Sequence, residues 1–461
     1  MMRKVIALAA LLVLFLAAGI QSADVPPVTE GAKSATADVS ANEFVDPDDI
    51  YWSPLGSGMD GRVLALTVYE GKLIAGGDFT TAGGVLVNHI ASWDGSNWSW
   101  LRPGPPLDPG CDDRIVAMTV YDEKLIVAGN FHTAGGVAAN HIASWDGSSW
   151  SPLGSGTSGG VKALAVYGDQ LFVGGYFGTA GGVEVNNIAS WDGSTWSPLG
   201  SGTNGDVRAL TVYDGKLIAA GSFVEIEPWP VFTFMCIASW DGSSWSQVGY
   251  PLWTWPISSP KALTVYNGAL YAGGRAIQEF SEEICSRAFI HVWNGSGWCF
   301  FWTSYCSYGY PGRDSYTLNV YDGRLVAGGI FGSEEYIRSW GGISNGFGSN
   351  TDGPVHALTA YNAELIVGGD FTMAGDKAAA YIAAWTKRDP CCETPGAVDH
   401  DGDVDALDFQ CLHDYLHKDG PEPCLEEADV NGDGVVDGKD MSCLGRHLYS
   451  TGNPCEFVEC P

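Results

Sequence analysis

Between Arg62 and Tyr69 the chain reads "RVLALTVY", apolar at nearly every position, and after a short polar turn it continues as "KLIAGG". Two more short runs follow, "HIASW" and "NWSWL". Runs of four to seven residues rich in β-branched and aromatic side chains, bounded by Gly, Asp and Asn, predict strands rather than helices. The links "YEGK" and "WDGS" carry tight-turn chemistry, so the first and second strands, and the third and fourth, are predicted to form hairpins. The first strand has no polar face. Both its faces are therefore expected to be buried between neighbouring sheets.

This four-strand pattern recurs. The tyrosine ending the first strand reappears as Tyr69, Tyr121, Tyr167, Tyr213, Tyr266, Tyr321 and Tyr361, and the tryptophan of "SWDG" as Trp93, Trp145, Trp191, Trp240, Trp293, Trp340 and Trp385. The mean spacing of about 49 residues, in strand-forming sequence, predicts an all-β, seven-bladed β-propeller over residues 50–388. The seventh copy stops at "YIAAWTKRDP" without its fourth strand, while an unpaired "IYWSPLGSG" begins at Ile50. Trp52 to Leu55 is expected to supply that outer strand, closing the ring and covering sheet edges. If strands alternate in direction, the tight hairpins share one face and the remaining connections the other. From Phe79, Phe131, Phe177 and Phe371 to the next repeat tryptophan is 14 residues; from Phe223 it is 17, from Phe331 only 9. Length variation on one face of a rigid scaffold is where binding sites collect.

The turn glycines and tryptophan in "YEGKLIAGG" and "WDGSSW" resemble the kelch-like family of propeller repeats, without the kelch arginine pattern. The "SWDGSSW" turn is also similar to the aspartate box of sialidases, one residue shorter. No arginine cluster that would hold an anionic sugar is visible, so sialidase activity is not carried over.

Charge and targeting narrow the partners. The formal net charge of −31 disfavours nucleic acid and anionic membrane surfaces. Arg3 and Lys4, the apolar run Val5 to Ala18 and the small residues to Ala23 read as a signal peptide over residues 1–23, too short for a membrane span. A secreted, extracellular protein follows, with residues 24–49 a disordered linker. All twelve cysteines lie beyond the leader and seven of them beyond Pro390, which in an exported protein favours structural bridges in the tail.

For chemistry, the fourth to sixth copies depart most from the template, in "EIEPWPVFTFMC", "GYPLWTWPISSP", "RAIQEFSEEICSR" and "CFFWTSYCSYGYPGRDSY". All four segments are expected on the connection face, where Trp229, Trp253, Trp255, Trp302 and Tyr308 would stack on sugar rings and Arg313 would take hydroxyl hydrogen bonds. The other reading is that these aromatics pack against each other as a satellite core, aided by a Cys299–Cys306 pairing. Asp78, Asn130 and Asp370 end second strands in neighbouring copies, as a hydrated rim or a cation site. His89 and His141 share one repeat position with Asn187, the mark of a structural role. No nucleophile with its base, metal triad or spaced carboxylate pair stands out. A binding propeller for polysaccharide or a cell-surface protein, a carbohydrate-active enzyme and a purely structural propeller all remain open.

The tail carries the sharpest motif. "DVNGDGVVDGKD" places oxygen ligands at Asp429, Asn431, Asp433, Asp437 and Asp440, with Gly434 for the turn and the Val435 carbonyl between. That is calcium-loop spacing, and a hard cation needs such oxygens. "AVDHDGDVDALD" aligns with it without gaps, giving Asp399, Asp401, Asp403, Asp405 and Asp408, but Ala397 stands at its first position. Each loop precedes one amphipathic run. Two such loops with aspartate in last place resemble a dockerin module over residues 396–450, set off by a linker at 389–395 and followed by a cysteine-containing tail at 451–461. The resemblance implies Ca2+-dependent folding and docking to a cohesin-like protein. The Ser-Thr pair often found in dockerin loops is Ala406-Leu407 and Gly438-Lys439 here.

Overall fold

A computed structural model describes residues 51–101, 110–223, 236–249, 257–280, 283–304, 307–308, 313–332, 335–340, 347 and 350–386. The calcium loops, and the side chains of Trp229, Trp253, Trp255 and Tyr308, lie outside that description.

Seven antiparallel sheets form a closed ring. Blade 1 runs Val63–Tyr69, Lys72–Gly77, Ile90–Trp93 and Trp98–Ser99 from centre to rim, and blades 2 to 4 repeat that order. Blade 7 is built from Val355–Tyr361, Glu364–Gly369 and Ile382–Thr386, with Trp52–Pro54 as its outermost strand in the register Trp52↔Trp385. The inner strands pack edge to edge all the way round, blade 7 against blade 1 included. Seven apolar clusters fill the seven gaps between blades. A phenylalanine after the second strand anchors six of them: Phe79, Phe131, Phe177, Phe223, Phe331 and Phe371 are all buried.

The all-apolar inner strand is not buried on both faces. Val63 and Ala65 are, but Leu64 and Leu66 are half-exposed and Val68 more so. Its second face lines the central channel, with Leu66 also packing against blade 7. In each inner strand the ladder also slips by one residue, as between Val63 and Ala65, so that one residue bulges.

The repeat tyrosine and tryptophan are links between blades. Tyr69 Oη donates to the Glu123 carbonyl at 3.2 Å, Tyr121 to Asp169 at 3.0 Å, and Tyr361 to Gly71 at 3.3 Å, each reaching the hairpin of the next blade. Trp98, Trp196 and Trp245 each donate Nε1 at 2.9 Å to a carbonyl of the preceding blade. Trp52 makes the same bond at 2.8 Å to Phe347. The N-terminal strand therefore fills its repeat position in hydrogen bonding as well as in register.

Two features differ from the sequence reading. In blades 1, 2, 3 and 7 the equal-length connections are small hairpins, such as Thr81–Ala82 with Val85–Leu86, and not irregular loops. Gly83 and Gly84 supply the positive φ angles of 58° and 78° that this two-residue turn requires. In blade 5, "RAIQEF" and "EICSR" are not loop: the second and third strands extend to Ala269–Phe280 and Glu283–Trp293, paired out to Phe280↔Glu283. The ribbon tip lies six residues past Gly274, about 20 Å at 3.3 Å per residue.

Candidate functional site

The inner strands begin, and the second strands end, on the connection face, since Val63 pairs with Gly77. At that end of the channel lies a cavity of about 250 Å3, lined by equivalent triplets from all seven inner strands. The first residue of each triplet is the bulged one: Leu64, Val116, Lys162, Arg208, Lys261, Tyr316 and His356. A bulge re-aims its side chain, here inwards, so one repeat position controls the chemistry of the mouth.

That chemistry is lopsided. Blades 1 and 2 contribute Leu64 and Val116; blades 3, 4 and 5 contribute Lys162, Arg208 and Lys261; blades 6 and 7 contribute Tyr316 and His356, whose rings lie 4.8 Å apart. The chain has 54 acidic and 23 basic residues, yet every lysine, arginine, aspartate or glutamate lining the cavity is a cation. The acids stand behind the wall. Asp206 pairs with Lys162 and lies 3.6 Å from Arg208; Asp314, its side chain only 3% exposed, pairs with Lys261. The Lys261 ammonium also sits 4.8 Å over the Tyr316 ring. Burial pushes His356 down to about 4, with Arg62 adding to the effect, so the ring is neutral at pH 7. Burial, then Asp314, pushes Tyr316 up to about 12, which keeps its hydroxyl protonated.

The described residues proposed from sequence lie elsewhere. The Trp302 ring is 5.3 Å from Phe331 and 5.8 Å from Trp340, under the Arg338 guanidinium at 4.9 Å. Arg313 Nη1 donates to the Phe331 carbonyl at 2.8 Å. Both residues thus meet at the boundary of blades 5 and 6, engaged with protein atoms. Tyr308 pairs through its backbone with Cys285. Cys299 is a free, exposed thiol whose Sγ accepts a 3.3 Å bond from Asn294; Cys306 lies outside the described residues. Asp78 is taken up by Arg62, and Asn130 lies 3.1 Å from the Arg114 guanidinium, so the trio with Asp370 is not a shared cation site. His89 is structural: at φ 71° its amide donates to the Phe79 carbonyl and its Nδ1 contacts the Gly77 carbonyl. The basic trio escaped the sequence reading, although Lys162, Arg208 and Lys261 share one repeat position.

The fold and tail define a seven-bladed propeller joined to a calcium-binding module. Residues 395–449 match the dockerin type I domain family; such domains bind calcium and dock onto cohesins, and proteins bearing them are typically extracellular or cell-surface components. No curated protein matches the chain. Among solved structures it is similar to the computationally designed Ika8 protein, at 16% identity over 72% of this chain and 99% of that one, with a TM-score of 0.43. It is also similar to BamB from Moraxella catarrhalis, at 14% identity over 71% and 84%, TM-score 0.37. YjhT follows at 12% identity over 73% and 98%, TM-score 0.33.

Proposed function

We propose that the protein is a secreted binding module, exported through residues 1–23 and tethered by its dockerin to a cohesin-bearing scaffold, with the propeller presenting a saccharide-binding face. The observation that carries this is the pairing of a dockerin with an asymmetric connection face. Blades 7, 1, 2 and 3 carry uniform small hairpins there, whereas blade 5 raises an extended ribbon, and the blade 4 and blade 6 connections depart from the repeat in length and sequence. Uniform hairpins serve the scaffold; the irregular arc is where specificity is placed. Trp229, Trp253, Trp255, Trp302, Tyr308 and Arg313 belong to that arc by sequence.

In the tail, Asp429, Asn431, Asp433, Asp437 and Asp440 with the Val435 carbonyl would hold one calcium ion. Asp399, Asp401, Asp405 and Asp408 with the Asp403 carbonyl would hold a second, more weakly because Ala397 offers no side-chain ligand. The donor set is all oxygen, as calcium requires. The full-length, calcium-loaded protein on an array of neutral and acidic glycans tests the binding reading. Retention of one glycan class is expected; no retention of any glycan would refute it.

A further inference from the structure

We infer that the channel mouth binds a carboxylated sugar ring, its acid group seated against Lys162, Arg208 and Lys261 and its ring lying along Tyr316 and His356. The inference rests on the reading of the connection face as a saccharide-binding face and assigns the class of saccharide.

Three observations carry it. The cations come from three consecutive blades at the one position whose bulge aims into the cavity, so they converge on a single side of it. They are only partly neutralised: Asp206 is shared between Lys162 and Arg208, and neither Asp206 nor Asp314 reaches the lining. The acids instead orient the cations from behind, and Ser259 Oγ accepts a further hydrogen bond from Arg208. Arg208 and Lys261, with side chains 28% and 31% exposed, act through less water than freely exposed cations, which strengthens their pull on an anion. On the other side, Tyr316 and His356, whose ring planes are inclined at 36°, and the aliphatic Leu64 and Val116 offer aromatic and apolar surface, suited to the carbon face of a pyranose. The volume of about 250 Å3 is below the roughly 300–1,000 Å3 of pockets for drug-sized ligands, and admits a ring rather than a peptide loop.

Calorimetric titration of the full-length, calcium-loaded protein with oligogalacturonate, and with the same oligomer after its carboxyls are reduced to alcohols, tests this. The acidic oligomer is expected to bind at least tenfold tighter than the reduced one, and to weaken as salt rises from 50 to 500 mM. Arg208→Gln should cost tenfold or more in affinity for the acidic oligomer. Lys162→Gln, which leaves Asp206 its 3.6 Å contact with Arg208, should do likewise, with near-ultraviolet circular dichroism confirming the fold. Equal binding of both oligomers, or acidic binding that neither variant alters, would overturn the inference while leaving a saccharide-binding face standing. Failure of both oligomers on the titration, with other glycans retained on the array, overturns the inference alone; failure of every glycan removes both readings.

Discussion

Single residues carry more of this fold than their size suggests. In the "GG" of the second strands, Ala-Gly in blades 2 and 4, the two positions differ in kind. A Cβ on Gly76 would meet a side chain, Ile115 Cγ2 at 2.8 Å, and not backbone, and blades 2 and 4 already place Ala128 and Ala220 at this position. A Cβ on Gly77 would sit 2.0 Å from the Arg62 carbonyl, and Gly129, Gly175, Gly221, Gly274, Gly329 and Gly369 face the same backbone contact. Gly77→Ala is therefore expected to cost at least about 2 kcal/mol, since backbone must move, and Gly76→Ala under about 1. All 18 tryptophans lie between Trp52 and Trp385, so fluorescence-detected urea unfolding reads the propeller alone. Equal costs would show that the carbonyl contact is not what keeps the second glycine.

The same readout tests His356. Its pKa is about 4 in the fold against 6.5 unfolded, so below pH 6.5 the unfolded chain takes the proton first. The stability tied to the neutral ring is whole above pH 6.5 and lost as pH falls toward 4, at up to about 1.4 kcal/mol per pH unit. Arg62 and Lys261 face this ring and oppose its charging, while Asp370 and Asp78 favour it. His356→Gln should flatten the slope of unfolding free energy between pH 6.5 and 4.5. An unchanged slope would assign the acid sensitivity elsewhere.

At the scale of elements, the N-terminal strand is the clearest case of structure legible in sequence. A missing "SSWSPLG" at one end and a spare "WSPLG" at the other required only that the ring close, and Trp52↔Trp385 is the register that results. Trp52→Ala would empty a fully buried site and strand the Phe347 carbonyl, so a loss of about 3–5 kcal/mol is expected in the same unfolding measurement. A loss under 1 kcal/mol would mean the strand adds little to the ring. Less of the candidate site could be read. Lys162, Arg208 and Lys261 look like ordinary solvated cations until the bulge turns them inward, and a bulge leaves no mark in a strand's hydrophobic pattern. The blade 5 ribbon was hidden for a different reason: "RAIQEF" has no copy elsewhere in the chain to reveal it as strand.

For the whole molecule, the propeller and the tail are expected to hold their folds by different means. The propeller is bound by seven apolar gaps and a circuit of tyrosine and tryptophan hydrogen bonds. The tail matches a calcium-binding dockerin domain, and its crowded carboxylates are expected to need the cation to fold. Chelation should therefore raise amide exchange across residues 396–450 and leave residues 63–386 protected. Asp433→Ala should weaken calcium binding more than Asp401→Ala, whose loop already lacks a ligand. Unchanged exchange in the tail, or equal losses by calorimetry, would contradict this division.

Ring closure by the first strand also sets a clock on synthesis. Trp52 leaves the ribosome roughly 330 residues ahead of Trp385, a wait on the order of 15 to 70 seconds at ordinary elongation rates. Through that interval the clasp is made and its catch is not, so a stalled or truncated chain is left with a sticky ribbon and no ring to receive it.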